Sequence, residues 1–229
     1  MNKIAMWSYT ALTTFEKCKF QAFLRLVARI PQHSAPGSTA SDRGIKIHNS
    51  AEQYLKGAVE LAAPLAHFSA EFIKLRELTK QGKVSIEQNW CFDRDWNVVD
   101  KANAAGLVKL DSFVHLSPTN GVVIDFKTGK KHGNEVKHAM QGNVYQLAAF
   151  LRYPELQSVT VEFWYLDKNE ITKKVHTRES GMRFFPNLNQ RIDAMLNCEE
   201  FPPNPNPVTC KWCPYGPGGT KHCTEGYSL

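Results

Sequence analysis

The chain has 229 residues, with 28 Lys and Arg against 22 Asp and Glu, a net charge of +6 and a pI near 9.0. That length suits one large domain, or one domain with a small appendage, and a 42% hydrophobic share supports a sizeable core. No run of 18 apolar residues occurs, which excludes a membrane-spanning helix, and the first eight residues lack the apolar centre of a secretory signal. The expectation is a cytoplasmic protein whose basic surface suits a polyanionic partner without requiring one.

Taken in chain order, Ser8 or Thr10 caps a first helix carrying Leu12 and Phe15, which ends or bends at Cys18. Residues 31–42, rich in Pro, Ser, Gly and Thr, read as a loop. A second helix is predicted over 44–61, with Ile47, Ala51, Tyr54, Leu55 and Ala58 as its apolar stripe and His48 beside it; a third covers 65–79. The period then changes to two: Val84, Ile86, Trp90 and Phe92 alternate with polar residues, residues 93–97 make a turn, and 107–116 form a strand. Ser117-Pro-Thr-Asn-Gly121 turns that strand into the next, which carries Asp125 and Lys127 on one face. A basic loop, Gly129-Lys-Lys-His-Gly133, leads into a helix over 136–152 in which Gln141, Val144, Tyr145 and Ala148 share one side. Strands over 159–166 and 171–176 and a helix through Phe185, Leu188, Ile192 and Met195 follow, and 201–207 is extended by its prolines. This order predicts an α/β core in which helices flank a central mixed sheet.

An acid and an ammonium two residues apart on a rigid strand can serve metal-assisted phosphodiester chemistry, the acid holding a divalent cation and the lysine ordering the attacking water. The competing reading of Asp125 and Lys127 is an exposed ion pair of little energetic value. Of six cysteines, Cys210, Cys213 and Cys223 crowd the last twenty residues, which reads as a metal or cluster site in a reducing compartment rather than as disulfides. The spacing admits a tetrahedral zinc, with His222 able to replace one thiolate, as well as a four-iron four-sulfur cluster. Cys91 and Cys198 read as small buried residues.

Five features, in order, resemble the PD-(D/E)XK nuclease superfamily and its RecB-like branch, which includes nuclease domains of bacterial recombination exonucleases and the iron–sulfur nucleases of CRISPR adaptation. Arg43-Gly44-Ile-Lys-Ile-His48 resembles a Gly-x-x-x-His helix motif, and Asp111 the acid of the second motif. Asp125-Phe126-Lys127-Thr-Gly matches the Asp-x-Lys-Thr-Gly core, and Gln141-Gly-Asn-Val-Tyr145 the Gln-x-x-x-Tyr motif. Cys18 with Cys210, Cys213 and Cys223 resembles the cysteine set of the iron–sulfur subgroup. Two departures stand out: Val108 occupies a place where the second motif often has Gly, and Gln146 with Phe150 is an alternate, less complete Gln-x-x-x-Tyr match.

The resemblance implies a restriction-endonuclease-like core with a metal-stapled C-terminal tail: a helical part over 1–80, a nuclease core over 81–200, and a cysteine-rich tail over 201–229 packed on the N-terminal helices. It implies His48, Asp111, Asp125 and the Phe126 carbonyl as ligands of Mg²⁺ or Mn²⁺, a donor mixture both ions accept. Lys127 would polarise the water, with Gln141 and Tyr145 positioning it or the DNA backbone. Lys130 and Lys131, beside the site, would contact phosphates. Trp212 and Tyr215 either stack on bases or pack around the metal site. No Gly-x-x-x-x-Gly-Lys-Ser/Thr motif is present, so a nuclease of this type, phage or bacterial, would act on single- or double-stranded DNA ends alone or with a separate helicase or recombinase. Two competitors remain: a structure- or sequence-directed endonuclease on the same fold, and a non-catalytic DNA-binding module with a zinc-stapled tail.

Overall fold

The computed structural model describes residues 3–32, 39–129 and 131–225. Helices α1 (Tyr9–Lys17) and α2 (Lys19–Ala22) run into a π-helical turn, Phe23–Val27. Helix α3 (Thr39–Leu55), a 3₁₀ turn (Ala63–Phe68) and α4 (Ser69–Lys80) precede the strands β1 (Val84–Phe92), β2 (Gly106–Ser117) and β3 (Asn120–Lys127). Then come α5 (Glu135–Arg152), β4 (Ser158–Tyr165), β5 (Glu170–Thr177), α6 (Arg178–Met182), α7 (Phe185–Leu196) and α8 (Pro207–Lys211). The chain divides into two compact units, one of Met1–Ser38, Ala104–Leu107 and Pro186–Leu229, the other of Thr39–Asn103 and Val108–Phe185.

The larger unit is built on a five-stranded sheet in the order β1-β2-β3-β4-β5. The pair β2–β3 is an antiparallel hairpin closed between Ser117 and Asn120, as the Pro-Thr-Asn-Gly stretch predicts. Strands β3 and β4 are parallel, which requires a crossover; α5 supplies it. Strand β5 returns antiparallel to β4. The sheet is therefore mixed, with helices against it, in agreement with the sequence reading. Tyr54, Phe68 and Phe72 from α3, the 3₁₀ turn and α4 bury themselves against Val114, Ile124, Phe126 and Trp164 of the strands. Helix α5 packs on β3 and β4.

Three local expectations change. Helix α3 stops at Leu55, and Ala58, predicted for its stripe, is exposed. The predicted 65–79 helix is a 3₁₀ turn followed by α4. Strand β1 is irregular, because Glu87 has φ +49°, a left-handed conformation that a side-chain-bearing residue adopts at a cost.

In the smaller unit Ser8 caps α1 through the Ala11 amide, and Cys18 ends it with extended backbone, both as expected. A bidentate pair joins Arg191 of α7 to Glu16 of α1 at 2.6 and 2.9 Å. The proline-rich stretch after α7 is extended and gives way to α8, a helical turn that the sequence pattern did not predict, capped by Asn206. Tyr215 is fully buried and donates to the Ile30 carbonyl at 3.0 Å, which ties the tail to the N-terminal segment.

Candidate active site

Strand β3 sets Asp125 and Lys127 on one face, and both lie inside the fold: Asp125 is 4% exposed and the Lys127 side chain 18%. They are therefore not a solvated surface pair. Lys127 Nζ stands 2.6 Å from Asp125 Oδ2 and donates to Gln141 Oε1 at 2.8 Å. Gln141 Nε2 donates to the Tyr145 hydroxyl at 2.6 Å, and that hydroxyl donates to Asp125 Oδ1 at 2.5 Å. The four side chains close a ring. It exists because residues 141 and 145 lie one helical turn apart on α5 and face β3 together. Burial, and then the Asp125 charge, push the Tyr145 phenol well above its usual range, so it stays a donor. Gln146 faces elsewhere, donating to the Asn143 and Gly181 carbonyls.

Beside the ring, His48 of α3, Glu87 of β1 and Asp111 of β2 offer ligand atoms that all lie within 4.8 Å of one another. His48 Nδ1 is 3.1 Å from Asp111 Oδ1, and the Phe126 amide donates to Asp111 Oδ2 at 2.7 Å. Burial and the neighbouring Asp125 raise the Asp111 carboxyl above its ordinary range, against the opposing pull of His48 and the Phe126 amide. Burial alone would depress His48; its hydrogen bond to Asp111 and the charges of Asp111, Asp125 and Glu87 outweigh burial and raise it. A half-buried site with mutually repelling carboxylates and an imidazole is what a divalent cation relieves, and the oxygen–nitrogen donor set suits Mg²⁺ or Mn²⁺.

The sequence reading placed Asp125 with His48 and Asp111 as ligands. In the structure Glu87 completes the close trio, while Asp125 is held by Lys127 and Tyr145. Nothing in the local pattern marks Glu87: an acid between Ile86 and Gln88 reads as a solvent-facing strand residue. It is held by Lys109 at 2.7 Å, across to β2.

Asp167 was also missed, and Arg43 was read only as the start of the first motif, without a partner. Asp167 receives a bidentate pair from Arg43, at 2.8 and 2.5 Å, and accepts from the Gly129 amide at 2.8 Å. This carboxylate fixes the loop after Lys127 to the start of α3. A Cβ at Gly44 would lie 2.9 Å from Thr128 Oγ1, so any larger residue there would have to displace that side chain. The two motif fragments thus interlock through small and charged residues that one-dimensional spacing does not reveal. Lys131 is paired with Glu170 and so is engaged, and Lys130 lies outside the described residues.

The family model for the PD-(D/E)XK nuclease superfamily matches residues 6–106 and 108–217. The chain belongs to the PD-(D/E)XK nuclease superfamily. Members of this superfamily are typically metal-dependent nucleases, and its substrate class is nucleic acid. A solved structure, that of SSO0001, is similar at 13% identity and a TM-score of 0.44, over 100% of this chain and 90% of that one. No curated protein matches the sequence. Among the described residues, no helix of this superfamily member is long and apolar enough to cross a membrane.

The thiols belong to the smaller unit. Cys18, Cys210, Cys213 and Cys223 line one cavity of about 20 Å³, room for about one water. Burial raises the Cys223 thiol, and the other three thiols add to the rise. Among the described residues no three cysteine sulfurs come within 4.8 Å of one another, and no four-iron centre is shown. Nor do they form a closed zinc site, whose 2.3 Å bonds would put thiolates about 3.8 Å apart. His222 is exposed and bonds to Thr220, away from that cavity. Trp212 is 77% exposed and Tyr215 fully buried, so Trp212 does not pack around the thiols and Tyr215 is inaccessible to a base. Cys91 is buried as expected, whereas Cys198 is only half-buried.

Proposed function

We propose that the chain is a divalent-metal-dependent deoxyribonuclease that hydrolyses phosphodiester bonds at DNA ends, of the RecB-like branch. The observation that carries this reading is the buried Asp125–Lys127–Gln141–Tyr145 ring beside the His48–Glu87–Asp111 trio. His48, Glu87 and Asp111 would hold a divalent ion, with Asp125 and the Phe126 carbonyl as the further ligands that the resemblance implies, and the ion would supply charge neutralisation on the phosphate and acidify a water. Lys127 orients that water and offers its ammonium to the developing negative charge. Gln141 holds Lys127 in place, and Tyr145 fixes the Asp125 carboxylate by occupying one oxygen. No residue needs to move far, so catalysis is mostly positioning and electrostatics.

The finer parts belong to this proposal too. Cys18, Cys210, Cys213 and Cys223 are read as thiolates that draw together around an iron–sulfur cluster, or a zinc, during metal-coupled folding and so staple the tail. Their common cavity supports it. The division into a helical part over 1–80, a core over 81–200 and a tail over 201–229, with the tail on the N-terminal helices, belongs to the same reading, as do phosphate contacts by Lys130 and Lys131 and a separate helicase or recombinase partner.

A digestion assay tests it, comparing end-labelled single-stranded, blunt duplex and covalently closed circular DNA with Mg²⁺, Mn²⁺ or EDTA. Degradation of linear but not circular DNA, abolished by EDTA, is expected. Cleavage of circles points to the endonuclease, and binding without cleavage under every condition sinks the enzymatic reading.

A further inference from the structure

Lys109 belongs neither to the ring nor to the trio, yet it holds one member of the trio. Its Nζ lies 2.7 Å from Glu87, whose side chain is 16% exposed against 63% for that of Lys109. The ammonium thus reaches a half-buried carboxylate from the solvent side, at the end of a long flexible stem. Lys109 and Asp111 are two residues apart on β2, so strand alternation puts them on one face. The charges of Glu87, Asp111 and Glu52 all act on the ammonium. Glu87 itself sits at φ +49°, a backbone conformation that persists only where the surroundings hold it. Its carboxylate is therefore contested: by Lys109 from the solvent side, and by a cation shared with His48 and Asp111 from within. Glu87 and Asp111 together carry two negative charges, which one divalent cation neutralises. Lys109 is then a surplus positive charge beside that cation and is repelled.

We propose that Lys109 is a phosphate-binding residue that metal binding sets free: Glu87 exchanges Lys109 for the divalent ion, and the released ammonium takes a DNA backbone phosphate beside the site. Without the ion, Lys109 neutralises Glu87 and relieves the repulsion between Glu87 and Asp111. With it, the same side chain becomes an unengaged cation on the solvent side of the site, where a polyanion approaches. Lys131, by contrast, is paired with Glu170, which is no part of the trio, so no such exchange frees it. Metal and DNA then favour each other's binding, and the coupling is reciprocal. The inference rests on the metal-dependent nuclease reading, which it deepens by tying uptake of the ion to capture of the substrate.

Calorimetry of the full chain with Mn²⁺ reads the exchange directly. Lys109→Met keeps most of the stem and removes the competitor, so it should bind Mn²⁺ about three- to tenfold more tightly than wild type, between the worth of an exposed ion pair and that of a charged hydrogen bond. In a Glu87→Gln background the same change should alter Mn²⁺ affinity by less than about twofold, because no carboxylate remains to be contested. Fluorescence anisotropy reads the phosphate contact, with a labelled duplex carrying a single-stranded overhang over a salt series, in EDTA and in Mn²⁺. The proteins for this arm also carry Asp125→Asn, which suppresses cleavage. Lys109→Met should lower the slope of log affinity against log salt by about 0.7–0.9 in Mn²⁺, the share of one phosphate contact, and leave it unchanged in EDTA, where Glu87 holds the ammonium. Thermal melting verifies folding, and Lys109→Gln replaces Lys109→Met if the latter does not fold. Weaker Mn²⁺ binding by the variant makes Lys109 a mere prop for Glu87 and overturns the exchange. So does an unchanged affinity, or a slope change that is absent in Mn²⁺ or equal in both conditions. The calorimetric arm decides alone if Asp125→Asn binds no Mn²⁺. Wild type that binds Mn²⁺ and cleaves, with Lys109→Met indistinguishable from it, refutes the exchange alone. Both Lys109 effects without any cleavage by wild type refute the nuclease reading alone, and a wild type that binds no Mn²⁺ refutes both.

Discussion

The molecule carries two sets of metal-type donors, and they are built differently. The carboxylates and imidazole of the larger unit come from three strands and a helix, and their partners are already in place: Tyr145 and Lys127 on Asp125, the Phe126 amide on Asp111. The thiols of the smaller unit come from a helix end and an irregular tail, and no three stand within 4.8 Å of one another. A sheet fixes side chains through its backbone ladder, so repulsive groups can be held ready for a cation. The tail has no such ladder to hold its thiols at fixed spacing.

The sharpest way to break this contrast is at the preorganised site. Asp125→Asn keeps the shape and most hydrogen bonds but removes the charge, and should cut cleavage by at least about a hundredfold with little change in thermal stability. Lys127→Ala should cut it as deeply. It should also destabilise the fold by about 3–5 kcal/mol, because it leaves a buried carboxylate without its cation. Wild-type rates from rigorously purified Asp125→Asn would end the catalytic assignment.

Glu87→Gln should weaken Mn²⁺ binding about 10- to 100-fold in calorimetry, a ligand-type loss that Cys18→Ser should not reproduce. If Glu87→Gln binds Mn²⁺ as wild type does, the ion sits elsewhere, closer to Asp125.

The tail is probed by anaerobic purification and metal analysis. About four irons per chain, with broad absorbance near about 400 nm, are expected for the cluster, and one zinc for the alternative. Cys18→Ser should lose the metal and become protease-sensitive in both terminal segments. Protein without metal whose four thiols all react freely, yet which stays folded, removes the staple.

Tyr145→Phe opens the ring at one hydrogen bond. It should cost about 1–3 kcal/mol of stability and roughly tenfold in rate, since Asp125 and Gln141 each lose a buried partner.

The smallest effect is a pH dependence in the larger unit. Burial, followed by the Lys174 charge, lowers His176 to about 4. Its unfolded value is about 6.5, so the unfolded chain binds the proton first. The stabilisation is complete above about pH 6.5 and is lost as pH falls towards 4. After allowance for solvent screening it is on the order of 1–2 kcal/mol. Chemical denaturation at pH 7 and pH 5 should show the loss in wild type and a flatter response in His176→Gln.

Much of this protein could be read along its sequence. Alternation placed Asp125 and Lys127 on one face, turn chemistry closed the β2–β3 hairpin, and helical spacing put Gln141 and Tyr145 together on α5, because period, turn type and capping are local properties of the backbone. Which charged groups meet across elements was not legible. Glu87 joins His48 and Asp111 only because the sheet order sets β1 beside β2, with a left-handed residue at the junction; Asp167 reaches Arg43 over 124 positions of chain. Those pairings are fixed by strand order, and no local pattern specifies strand order. For the same reason four cysteines with metal-type spacing do not by themselves make a closed site: spacing declares the donors, and only the packed chain sets the distances between them.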